Sequence, residues 1–217
     1  MRSCAPTSRA AIRSPAVPSC RRSSRLLTGP PDTEDLTGLS FDRSAPRLLN
    51  PDSEENLQQV FLQNHWTCLP ITLPTEARVA AMLKGTSHAP DEIVGRMRPT
   101  SFREFWEYTV EKVAVNAVMA GARPEYLPVI LALAASGSTA RSSSTTSMTN
   151  MAVVNGPIRH EISMNCGIGS LGPYNHANVT IGRAYALLSQ NLQGGSVPGE
   201  TYMGTLGNGL AYSTCFA

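Results

Sequence analysis

Residues 109–137, TVEKVAVNAVMAGARPEYLPVILALAASG, constrain the fold more than any other stretch of the chain. Val110, Val113, Ala114, Ala117 and Val118 recur at helical spacing, and Val115 and Met119 make the opposite face apolar too. A helix that is apolar nearly all round belongs in an interior. Thr109 has the chemistry of its N-cap and Gly121 that of its stop. A second apolar helix, entered at Pro124 or Pro128, is expected to pack beside it. Two buried helices side by side oblige the rest of the chain to cover them.

The covering elements have weaker signatures. NPDSEENLQQVFLQN reads as a helix with Asn50 as N-cap, Pro51 in the first turn and acids close behind. Leu69 to Leu73 form a short apolar segment, followed by a helix capped at Thr75 that runs through Lys84 to a stop at Gly85. FREFWEYT suits a strand, and MAVV a short buried strand. Asn155 and Gly156 turn the chain, Pro157 starts a short helix, and Asn178 to Leu192 form the last helix, with Ile181, Ala184, Tyr185, Leu188 and Leu192 on one face. Helices mixed with short strands predict an α/β or α+β domain, helices packed on a small sheet, as a single domain over 50–217.

Residues 1–48 are rich in Arg, Ser and Pro and lack an apolar period, so they predict a disordered tail. An organelle transit peptide and an over-extended start are both compatible with that composition. The tail also hides the charge of the body. Six arginines and no acid fall in residues 1–30, leaving 12 basic against 16 acidic groups in the remainder. A basic surface for nucleic acid is thus unsupported outside the tail. No apolar run approaches the ~18 residues of a membrane span. Five cysteines at wide spacings, without a C-x-x-C pair, point to a reducing, cytoplasmic setting rather than a disulfide framework.

Gly167, Gly169 and Gly172 in NCGIGSLGPYNHANVTIGRA have the spacing of a dinucleotide-binding loop. Such a loop needs a strand before it and a helix beginning among the glycines. Here the preceding PIRHEISMN reads as helix, the next helix starts near Asn178, and no acid lies between Glu161 and Glu200 to hold a ribose. A nicotinamide or flavin cofactor is therefore not expected, and no other cofactor is indicated. Glycines and Asn165, Asn175 and Asn178 suit either a structural loop around the core or a ligand loop. Lys112 and Asn116 stand one turn apart on the apolar helix. They could hold an anionic group or move a proton, or simply mark the helix's solvent edge. The turn at Asn155 and Gly156 offers backbone N–H groups at a helix start, an arrangement that binds anions and also merely joins strands to helices. His160, Cys166 and His176 match no standard metal spacing.

PTEARVAAML, TVEKVAVNAVMAGARPEYLPVILA, VVNGPI, NCGIGSLGPYNHANVTIGRA and CFA together resemble the bacterial proteins grouped as the UGSC family of (seleno)proteins. The resemblance spans about residues 60–217. That family takes its name from a selenocysteine- or cysteine-Gly-Ser-Cys redox motif, which this chain lacks, CGIGS at Cys166 having the wrong spacing. The resemblance implies an enzyme-related domain that binds a small polar or anionic substrate and serves thiol or selenol chemistry carried on another domain or subunit. Lys112 and Cys215 are the candidate catalytic residues. Asn116, Asn155, Gly156, Asn165, Gly167, Gly169 and Asn178 are the candidate substrate-binding residues. A non-catalytic scaffold or partner-binding domain is the alternative from another class. GLAYSTCFA ends the chain while still apolar, with Tyr212, Cys215 and Phe216 resembling a strand entering a core, which predicts a truncated domain.

Overall fold

The structure, a computed structural model, describes residues 47–64, 66–67, 69–97, 106–139, 151–170 and 174–192, and the backbone alone of 215–216. Most of the expected tail lies outside the described residues. All the described residues fall in one compact unit. The fold is mixed α/β, with six α-helices and two two-stranded sheets among the described residues.

Helix α1, Glu54–Gln63, begins later than the sequence suggested. Ser53, not Asn50, is its N-cap: the hydroxyl accepts from the Asn56 amide at 3.3 Å. Asp52 accepts from the Ser53 N–H at 2.7 Å and from the Asn56 side chain at 2.9 Å. Both bonds favour the charged carboxylate, so its pKa is lowered, the Asn56 contact contributing most. This start also puts Glu54 and Glu55 in the first turn, where the helix dipole favours them. Phe61 faces inward and meets Trp66 edge to face at 5.2 Å.

Residues 69–75 are extended, with Ile71 and Leu73 buried and Thr72 exposed between them. Side chains take the place of a neighbouring strand. The Gln58 amide donates to the Ile71 carbonyl at 2.7 Å and accepts from the Ile71 N–H at 3.3 Å. Arg78 donates to the Leu73 carbonyl at 2.9 Å, and Arg183 donates to the Pro70 carbonyl. Helix α2, Glu76–Leu83, follows with the expected Thr75 cap, burying Val79 and Met82. Gly85, just past its end, lies so close to the next segment that an added Cβ would stand 1.9 Å from the Pro124 carbonyl oxygen.

Strand β1, Ile93–Arg96, pairs antiparallel with β2, Glu107–Thr109, with an irregularity between Ile93 and Gly95. β2 is the described end of the FREFWEYT stretch, residues 101–105 lying outside the described part. Thr109 closes β2 and caps α3, Val110–Met119. A 3-10 turn, Pro124–Tyr126, then leads into α4, Leu127–Ala135, so both prolines act at the entry. The Tyr108 hydroxyl donates to the Ala134 carbonyl at 2.7 Å and ties the small sheet to α4. Burial pushes that hydroxyl's pKa up to about 12.

After α4 come β3, Ala152–Val153, α5, Ile158–Glu161, and the long α6, His176–Leu192. Strand β4, Cys215–Phe216, pairs parallel with β3. MAVV is only half-buried: Ala152 faces the interior, while Met151 and Val153 are about half exposed because they face away from it. Helices α3, α4 and α6 pack against one another pairwise. Val113, Ala114 and Ala117 meet Leu127, Ile130 and Ala134 and also Ile181, Ala184 and Leu188 in one core, all nine fully buried. Alanines at the contacts let the helices approach closely. Deleting a large side chain here, such as Ile130, costs about 2–5 kcal/mol. α6 is buried beyond its expected apolar face, since Asn178, Thr180, Ser189 and Gln190 are inside as well. Thr180 and Ser189 resolve this by donating to the carbonyls of His176 and Tyr185 one turn back.

Candidate functional site

The glycine loop is built by asparagines. Helix α5 ends in a Schellman arrangement: the Met164 N–H donates to the Arg159 carbonyl, the Ser163 N–H donates to the His160 carbonyl, and Ser163 takes φ 57°. Beyond it, the buried Asn178 side chain accepts from the Asn165 N–H at 3.1 Å and donates to the carbonyls of Asn165 and Ser170 at 2.9 and 3.1 Å. Asn175 caps α6 by accepting from the Asn178 N–H at 3.0 Å and donates to the Ser163 carbonyl at 2.9 Å. Asn165 accepts from the Gly167 N–H and donates to the Ile168 carbonyl, both at 3.0 Å. Gly169 sits at φ 78°, in the left-handed region that glycine enters freely. All three side-chain amides thus work on the loop's own backbone. The glycines follow a helix, not a strand, and α6 begins only at His176. That is not the setting of a dinucleotide loop.

Lys112 and Asn116 are separated by the surface of α3. Lys112 is exposed, at the solvent edge of α3, and among the described residues has no acidic partner. The reason is local: Glu111 and Lys112 form a wet edge on which Glu111 holds Arg47 in a two-bond ion pair. That hydrogen bond lowers the Glu111 pKa. Asn116 is 4% exposed and donates to the Lys112 carbonyl at 2.9 Å, while its oxygen accepts from Asn191 at 2.7 Å. Asn191 and Asn178 stand 13 positions apart on α6. The Asn116 cluster and the glycine-loop cluster are therefore roughly 20 Å apart at 1.5 Å of rise per residue. Asn155 and Gly156 form an exposed turn before α5, Gly156 at φ 97°. The sequence-predicted residues do not converge on one site.

A different place offers room. A cavity of about 300 Å³ opens between the end of α4, β3 and the middle of α6, lined by Leu133, Ser136, Ser138, Met151, Ala152 and Tyr185. It has the size of a small ligand site. The Ser136 hydroxyl donates to the Leu133 carbonyl at 2.7 Å and accepts from the Ser138 N–H at 3.2 Å, which folds the chain back at the mouth. Gly137 makes this bend possible with φ 65°. Of the predicted residues, Cys215 comes nearest: its backbone is paired in register with Ala152. Its side chain lies outside the described part. Sequence analysis singled out neither Ser136 nor Ser138 and placed Tyr185 on the apolar face of the last helix. No motif marks any of them, because the cavity is made by three elements distant in the chain.

Among the described residues, no three His, Cys, Asp or Glu side chains converge where a metal ion could sit. None of the described helices is long and apolar enough to cross a membrane. No protein-family model, curated protein or solved structure matches the chain.

Proposed function

We propose that this chain is a cytoplasmic small-molecule-binding domain related to the UGSC (seleno)proteins, with its substrate in the cavity between α4, β3 and α6 and Cys215 as the reacting residue beside it. A partner domain or subunit carries the further thiol or selenol that the family resemblance implies. The observation that supports this reading most directly is the β3–β4 register, which sets Cys215 next to a cavity-lining residue. Adjacent strands lie about 4.8 Å apart, so the backbone of residue 215 runs beside that of Ala152. The asparagines of the glycine loop serve as scaffold in this reading, since their amides are spent on backbone groups.

Labelling with N-ethylmaleimide, followed site by site by mass spectrometry, tests it. Cys166 is exposed and acts as an internal reference. Ser138→Trp, at an exposed position on the cavity mouth, is expected to slow labelling at Cys215 several-fold while leaving Cys166 unchanged. Equal rates at Cys215 in the native protein and the variant defeat the assignment.

A further inference from the structure

We infer that Asn155 is a site of spontaneous covalent modification, where the Gly156 backbone nitrogen attacks the side-chain amide and the folded chain passes from asparagine to isoaspartate and aspartate.

Such a reaction needs an unengaged asparagine amide, a following backbone N–H free to attack it, and room for a ring to close. Asparagine is among the thermolabile residues, and its surroundings decide which copy reacts. Asn155 and Gly156 are both exposed. Neither the Asn155 side chain nor the Gly156 N–H makes a hydrogen bond to any described residue. Gly156 takes φ 97°, and a Cβ built there would meet nothing within 4 Å, so neither a side chain nor a described neighbour shields its nitrogen.

No other described asparagine combines these features. Asn165, Asn175 and Asn178 are spent on the glycine loop, and Asn191 donates to Asn116. Asn56 and Asn64 donate to the Asp52 carboxylate and the Val60 carbonyl one turn back, at 2.9 and 2.8 Å. Asn50 precedes Pro51, which has no N–H with which to attack.

Water is the one co-reactant. The Gly156 nitrogen gives its proton to a base in solution and bonds to Cγ of Asn155, and the side-chain nitrogen leaves as ammonia. Water then opens the resulting succinimide. Opening at Cγ yields aspartate; opening at the main-chain carbonyl yields isoaspartate. Both products add one negative charge. Isoaspartate also routes the main chain through Cβ and so lengthens it by a methylene. That insertion falls between Val153, paired with Phe216, and Pro157, whose carbonyl accepts the N–H groups of His160 and Glu161 in α5.

The full chain, folded in buffer and unfolded in guanidinium chloride, is incubated at the same mildly alkaline pH and followed by peptide mass spectrometry with electron-transfer fragmentation, which separates the two acids. Asn155→Gln is run alongside. The expected result is conversion at Asn155 in the folded chain within tenfold of its rate in the unfolded chain, to both acids, with Asn165 and Asn178 at least tenfold slower than Asn155 and no conversion at 155 in the glutamine variant. Hydroxylamine added during the incubation should cleave the chain between residues 155 and 156. Folding that protects Asn155 more than tenfold overturns the site, as does conversion of Asn165 or Asn178 at the same rate. Aspartate without isoaspartate, and without hydroxylamine cleavage, overturns the attack by Gly156.

Discussion

The glycine loop and the cavity are both anchored on α6, and they use polar side chains in opposite ways. In the loop, three asparagine amides donate to and accept from the loop's own backbone. At the cavity, one serine hydroxyl folds the chain and the next engages no described residue. Asparagines and glycines in a cluster look like a binding motif, yet hydrogen-bonding capacity used internally cannot recognise anything else. Capacity left over is the more informative sign of a site.

The comparison breaks most readily at Asn178. Asn178→Ala removes one acceptor and two donor contacts from a fully buried position and leaves backbone groups of Asn165 and Ser170 unpaired. The expected loss, at about 1–3 kcal/mol per unsatisfied buried group with partial recovery by water, is about 3 kcal/mol in chemical denaturation. A loss below about 1 kcal/mol shows that the loop does not depend on its amides.

Tyr108 sharpens the other side, because its bond to Ala134 holds the turn of α4 that also supplies Leu133 to the cavity. Its folded pKa is raised from 10.0 to about 12. A neutral hydroxyl favoured by folding stabilises fully below pH 10, and the stabilisation disappears as pH rises from 10 towards 12. Two units correspond to about 2–3 kcal/mol at most. Stability measured across that range should fall more steeply in the native protein than in Tyr108→Phe; parallel curves would contradict the assignment.

The smallest effect is expected at the loop's entry. Ser163 holds φ 57° without being glycine, at a cost of about 1 kcal/mol. Ser163→Gly should raise the denaturation midpoint by the equivalent of several tenths to 1 kcal/mol, after allowance for the added freedom of the unfolded chain. A lower midpoint would mean that the serine side chain contributes more than its backbone strain costs.

Local chemistry made much of the fold legible. Thr75 and Thr109 cap their helices where hydroxyls precede apolar periods, and the apolar pair α3 and α4 packs as its composition requires. β1 was not legible, since Ile-Val-Gly-Arg gives too few positions to show an alternation. Ser53 and Asn50 are equally good caps in isolation, and only the contacts of Asp52 decide between them. Lys112 illustrates a different limit. Periodicity establishes that α3 is helical and mostly apolar, but which edge meets water depends on what covers it. Asn165 and Asn178 were read as substrate-binding residues, with a structural loop as the alternative; their partners were not readable, because a residue type specifies donors and acceptors without specifying neighbours. The cavity was unreadable for the same reason, being a product of how three distant elements meet.

The segment 69–75 has a consequence for association between chains. Leu-Pro-Ile-Thr-Leu-Pro is extended and apolar enough to recruit a strand from a neighbouring molecule if its edge were open. Gln58 and Arg183 cover the carbonyls of Ile71 and Pro70, Arg78 covers that of Leu73, and the Thr72 N–H is given to Met119. Pro70 and Pro74 have no N–H to offer. Each side chain addresses the backbone of one particular residue, so the segment cannot slip along its partners by two residues as a strand in a sheet can. Side chains from three helices thereby give it a fixed register and leave little of an edge on which aggregation could start.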